Sequence, residues 1–166
     1  MSIYKWLGVL GILLLAACDD EVVEWGSGGE ATLTADRAGR VIPFSGTSAI
    51  IVPVHINGEG PFQFAMDTGS TLTCVDGSVA ERMELPERPV VRGVAAGASG
   101  VGAVRVVQVD SLRVGGAVMR ELPTCVLELA HARQVGVEID GLLGLNFLRA
   151  FQVGVDFDRR ELRLGG

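Results

Sequence analysis

Positive charge is the first thing in short supply. Fourteen Lys and Arg stand against 20 Asp and Glu, a net charge of −6. A chain of that sign is a poor partner for nucleic acid. Histidine and cysteine are scarce too, at two and three residues. Their spacing matches no zinc site, and no Gly-x-Ser-x-Gly elbow accompanies His55 or His131, so zinc chemistry and a Ser-His-Asp triad have no sequence support. Both histidines read more simply as solvated or hydrogen-bonded side chains, His55 in a strand and His131 in a loop. Aromatics are few, and the domain has no long-period repeat. "GASGVG" at 97–102 lacks the strand-to-helix setting of a dinucleotide site. What is abundant is glycine, at 23 residues, with recurrent valine and short apolar runs separated by Gly, Pro, Asn and Asp. That texture, over 166 residues, predicts one all-β domain.

The N-terminus reads as a targeting segment. Lys5 precedes the apolar stretch Trp6 to Leu15, which is too short to cross a bilayer as a helix and suits a secretory signal. It ends in Leu15-Ala16-Ala17-Cys18, which resembles a bacterial lipobox. The resemblance implies a signal peptide at 1–17, a diacylated Cys18 and a domain anchored to a membrane of the cell envelope, facing the periplasm or exterior. An ordinary signal peptide or an uncleaved anchor is the alternative. Residues 18–40 are acidic, Gly-rich and aperiodic, a flexible tether in which "ATLT" could add an edge strand. The domain is expected over 41–166. With Cys18 lipidated, Cys74 and Cys125 remain. In an oxidising compartment they can pair, or they can stay as two buried small hydrophobes; the sequence leaves this open.

Ala49 to Ile56 is a β-type run, and Asn57-Gly58-Glu59-Gly60 is a hairpin turn. On the return, Phe62, Phe64 and Met66 share one face, and Gln63, Ala65 and Asp67 share the other. The parity therefore sends Asp67 away from the aromatic face and into a cleft. Asp76-Gly77-Ser78 opens a short helix in which Ser78 and Glu81 have capping-box spacing. Residues 93–102 read as the tip of a long Gly-rich hairpin. Strands are expected at Val104 to Val109 and Leu122 to Leu129. Ile139 to Gly144 reads as a buried strand or loop, followed by a helical turn at Leu145 to Ala150. Phe151, Val153, Val155 and Phe157 then alternate strictly, and Asp158-Arg159-Arg160 turns the chain into Leu162 and Leu164.

Asp67-Thr68-Gly69-Ser70 alone is a short match, and taken alone Asp67 could be a structural turn residue. Its setting is more specific: a hairpin before it, a short helix after it, a Gly-rich hairpin, then "DGLLG" and a C-terminal β-hairpin. This ordered set resembles the retropepsin-like aspartic peptidases, above all their bacterial versions, over roughly 41–166. The resemblance implies a closed acid-protease barrel with one or two short helices, active as a C2 homodimer. It implies that Asp67 is the catalytic aspartate and that Thr68 bonds across the dimer. Gly69 would let the backbone pass close to the carboxylates, and Ser70 would hydrogen-bond the catalytic carboxylate. Leu142, Leu143 and Gly144 would pack beneath the loop, and Gly97, Ser99 and Gly100 would lie in the flap over the substrate. A hydroxyl donated to the ionised carboxylate lowers its pKa, which leans toward an acidic optimum.

Peptide hydrolysis by this route needs two acids, one to activate water and one to protonate the carbonyl. The chain holds one Asp-Thr-Gly; Asp76-Gly77 and Asp140-Gly141 lack the pattern, although Asp140 could be a second functional acid near the cleft. The expected partner is Asp67 of a second subunit, with peptide or protein as substrate and with no cofactor or metal. The competing reading is an envelope lipoprotein that binds peptides or a partner on the same fold without cutting.

Overall fold

The computed structural model describes residues 28–88, 94–97, 100–103, 105–129 and 138–166. The signal segment, Cys18, the tether up to residue 27, Ser99 and His131 lie outside these residues.

The strands are short and rich in Val, Leu and Ile. In chain order they are β1 (Ala31–Leu33), β2 (Val41–Pro43), β3 (Ile51–Ile56), β4 (Glu59–Met66), β5 (Thr73–Asp76), β6 (Val94–Gly97), β7 (Gly100–Ala103), β8 (Val106–Val114), β9 (Ala117–Leu127), β10 (Gly141–Leu143), β11 (Gln152–Asp156) and β12 (Glu161–Gly165). Two helices accompany them, α1 (Gly77–Arg82) and α2 (Leu145–Leu148).

Six strands close on themselves in the order β9-β5-β10-β4-β3-β8, and β8 pairs back to β9. Closure removes the two free edges that an open six-stranded sheet would have. Hairpins make the local pairs: β3 and β4 turn through Asn57 and Gly58, whose φ angles of 50° and 85° suit a two-residue turn. Of the remaining pairings, β3–β8 and β5–β10 are antiparallel and two are parallel. β10 runs beside β4 and β5 beside β9, joining residues far apart in sequence. A separate sheet, β11-β12-β2, brings the C-terminal hairpin against the strand at 41–43. β1 falls inside 18–40 and pairs with β9, so the edge strand allowed for "ATLT" forms and ordered structure starts before Val41.

The core lies inside the barrel and under β12. Val52, Val54, Phe64, Leu112, Leu143 and Leu162 are fully buried; a fully buried side chain of this size contributes roughly 1.5–3 kcal/mol. The sheet alternation holds on β3, where Val52, Val54 and Ile56 face in while His55 does not. His55 stands opposite Arg113 on β8. Partial burial, then the Arg113 charge, lower its pKa. Its buried Nδ1 has no partner among the described residues, so His55 is neither freely solvated nor satisfied through that atom.

On β11 the alternation does not bring burial. Val153 is 39% exposed and Phe157, just past the strand, is 70% exposed. β11 is the edge of its sheet; Val155 packs against the core, and Phe157 meets the Phe44 ring edge-on at 6.2 Å while staying largely exposed.

Helix α1 forms as expected but with a different cap. Asp76, not Ser78, is the N-cap: its Oδ1 accepts the Ser78 N–H at 3.1 Å and also the Ser78 hydroxyl. Gly77 is already helical, so the first unpaired amide within reach is that of Ser78. Asp76 Oδ2 accepts the Leu129 N–H at 3.0 Å as well.

Cys74 and Cys125 are directly paired residues of the parallel β5 and β9, with Cα atoms 4.3 Å apart, and they form a disulfide. The question left open by the sequence is settled by register.

Candidate active site

β4 points Phe64 into the core and carries the chain to its end at Met66, so Asp67 is the first residue of a loop and is half-buried. Two contacts fix it. The Asp67 N–H donates to the Leu143 carbonyl of β10 at 3.0 Å. Its Oδ1 accepts the Gly69 N–H at 2.9 Å. A Cβ on Gly69 would stand 3.2 Å from that same oxygen, so glycine keeps the approach to the carboxylate open. Thr68 and Gly69 are exposed. Among the described residues no ion pair involves Asp67.

Ser70 departs from expectation. Its hydroxyl donates to the Leu72 carbonyl at 2.7 Å rather than to the Asp67 carboxylate. The nearby carbonyl, two residues on, uses up the single hydroxyl proton. The acidic optimum expected through a Ser70–Asp67 bond therefore has no such bond behind it.

The far half of the loop hangs on α2. The Ser70 and Thr71 carbonyls accept the N–H groups of Leu145 and Asn146 at 2.8 and 3.0 Å. These are first-turn amides of a helix whose N-cap, Gly144, offers no side chain. Leu142 and Leu143 lie between the two halves, in register with Ala65 and Met66 of β4, and Leu142 also pairs with Cys74 of β5. The three residues Leu142, Leu143 and Gly144 thus sit where the motif places them, against the loop.

Gly144 is required by contact. A Cβ there would lie 2.3 Å from the Leu72 carbonyl oxygen and 2.7 Å from the Thr73 nitrogen. Its φ of −94° is open to any residue, so crowding and not torsion demands glycine. Gly144→Ala is expected to lower stability by about 1–3 kcal/mol, read as a drop in urea midpoint at unchanged slope.

One side chain here was not singled out from the sequence. Asn146 Oδ1 accepts both the N–H and the hydroxyl of Thr73, at 2.7 and 2.8 Å, and its Nδ2 donates to the Pro123 carbonyl at 2.8 Å. Thr73 Oγ1 in turn accepts the Gly144 N–H at 3.1 Å. The partners are 73 residues apart, and only the fold brings them together.

The other two Asp-Gly aspartates are committed elsewhere. Asp140 Oδ2 accepts the Gln63 N–H at 2.8 Å, and Asp140 N–H returns a bond to the Gln63 carbonyl at 2.7 Å. Asp76 caps α1. Neither stands beside Asp67 as a second acid. Of the expected flap, β6 and β7 form a hairpin in which Gly97 pairs with Gly100. An open groove of about 500 Å³ runs elsewhere, along β11, lined by Gly154, Val155, Asp156, Phe157, Asp158 and Arg163. No residue of the Asp67 loop lines it.

Asp67 is thus a half-exposed carboxylate on a short loop whose next two residues, Thr68 and Gly69, are exposed. Residues 52–147 match the protein family described as Aspartyl protease. No curated protein matches the chain. Among solved structures, a retropepsin-like aspartic protease from Rickettsia conorii shares 16% identity, over 81% of this chain and 90% of that one, with a TM-score of 0.50. The retroviral protease-like domain of Ddi1 from Leishmania major shares 19% identity over 70% of this chain and 87% of that one, with a TM-score of 0.46. The first likeness is one of fold: an all-β closed barrel of the retropepsin kind.

Proposed function

We propose, from the premise that this chain belongs to the aspartyl protease family, that it is an aspartic-type endopeptidase working as a homodimer. The observation that carries this is the single Asp67-Thr68-Gly69 loop, whose outer residues are exposed in one chain. Two such loops facing across a C2 axis would bring two Asp67 carboxylates together. At about 3 Å they cannot both ionise and they share a proton, as is established for aspartic proteases generally. The ionised member takes a proton from water as it attacks the peptide carbon. The protonated member gives its proton to the carbonyl oxygen. The pair titrates as a unit, so neither pKa belongs to one subunit.

Dimerisation is also supported by Val41, Val153 and Phe157, apolar and at least 38% exposed around the small sheet β11-β12-β2. The substrate would bind extended, its backbone adding to strand-like hydrogen bonding between the β6–β7 hairpin, acting as flap, and the Asp67 floor. The Leu15-Ala16-Ala17-Cys18 run supports lipid anchoring at Cys18 in a bacterial envelope. The Cys74–Cys125 disulfide supports an oxidising compartment there.

The test is cleavage of a diverse peptide mixture from about pH 3 to about pH 8, read by mass spectrometry. Below the dimer dissociation constant, the rate should rise with the square of protein concentration. Silence at concentrations where sedimentation finds the dimer would remove the endopeptidase reading and leave peptide binding without cleavage.

A further inference from the structure

The loop that carries Asp67 has two ends, and they are held differently. At its start, the Asp67 N–H meets a backbone carbonyl of β10. At its end, the Thr73 N–H meets a side chain, Asn146 Oδ1. Thr73 is fully buried, and its hydroxyl is doubly used, donating to Asn146 and accepting from Gly144. Asn146 is in turn tied to β9 through the Pro123 carbonyl. The two fastening points on the other side, Leu143 and Asn146, are three residues apart where β10 runs into α2. The loop therefore moves only if that junction moves, or if the Thr73–Asn146 contact opens.

We propose that Thr73 and Asn146 are a positioning pair for the reaction, setting the height and tilt of the Asp67 carboxylate without touching substrate. The inference rests on the peptidase reading above for its catalytic consequence. A two-acid site tolerates little misplacement, because both carboxylates must reach one water and one carbonyl. The pair supplies the side-chain hydrogen bonds across the loop's exit, beside the Cys74–Cys125 disulfide one residue further on. Opening these hydrogen bonds would leave the backbone bonds at Asp67, Ser70 and Thr71 in place but loosen the β10–α2 junction on which those bonds hang.

Thr73→Val keeps the branched shape and removes the hydroxyl; Thr73→Ser keeps the hydroxyl. Active sites are first counted by titration with a tight-binding peptide isostere carrying a hydroxyl at the scissile position. Per counted site, Thr73→Val should lower kcat at least about tenfold while KM stays within about twofold. Thr73→Ser should restore most of the rate. A purely structural role would lower the number of sites and leave kcat per site unchanged, and that result would overturn the proposal. If the unaltered protein proves inert, the peptidase reading fails, and amide hydrogen exchange decides this inference separately. Thr73→Val should then speed exchange at Leu145 and Asn146, whose N–H groups hold the loop, without changing Val52 and Val54 in the barrel. Uniform change, or none, would overturn it.

Discussion

Asp67→Asn should abolish peptide cleavage, by at least about a thousandfold in kcat/KM, and leave the fold intact. The amide matches the carboxylate in shape, and its Oδ1 can still accept the Gly69 N–H that the native Oδ1 holds at 2.9 Å. What it lacks is basicity. A symmetric dimer loses both acids with one substitution, so no second group inherits the role; Asp76 and Asp140 are tied to backbone amides. The dimer itself should be as stable or tighter near neutral pH. Two facing carboxylates that must share a proton repel one another once that proton is lost, and two amides do not. The measurement pairs cleavage assays with sedimentation at matched concentrations. A variant that dimerises and still cuts would remove Asp67 from the mechanism.

Removing the disulfide should have the largest effect on stability. Cys74 and Cys125 enclose a separation of 51 residues, and cross-linking a loop of that length takes about 4 kcal/mol of entropy from the unfolded chain. Domains of this size are stable by about 5–15 kcal/mol in total, so the bond would supply a large share. Replacing both cysteines by Ala should lower Tm by roughly 10–15 °C. It should also raise the denaturant slope, because the unfolded chain expands without the cross-link. Both sulfur-bearing residues are almost wholly buried, so reductant should act slowly on the folded protein and quickly on the unfolded one. An unchanged denaturation midpoint would mean that β5–β9 pairing holds without the covalent bond.

Local chemistry made much of this molecule legible in its sequence. Asn57-Gly58 announced the β3–β4 turn because few residues accept two successive positive φ angles. Parity along β4 was a weaker guide: Asp67 stands just past the strand's end, and Ala65, on the face expected to lead into a cleft, is buried. Leu142-Leu143-Gly144 was read as the support of the loop from its order in a family pattern, and the Gly144 contact with Leu72 gives that reading its physical ground. What escaped notice was non-local or decided by competition. Asn146 looks like any polar residue in a helical turn until Thr73 is placed beside it. Ser70 had two acceptors within reach, and sequence could not say that the Leu72 carbonyl would prevail. Ser78 and Asp76 both suited the cap of α1, and a helix start two residues earlier decided for Asp76. On β11 the apolar alternation correctly marked a strand but did not say that Val153 and Phe157 would stay exposed.

The fastening of the Asp67 loop also has a consequence in time. Residues emerge from the ribosome in order, and domains assemble as they emerge. Asp67 and the rest of its loop are made early, but the groups that hold the loop, Leu143, Leu145 and Asn146, arrive near the end. β2 waits longer still, for β12. A chain cut short before Gly141 would carry the reactive residue with nothing to hang it on. The order of the sequence therefore makes the Asp67 loop one of the last parts of the chain to be held in place.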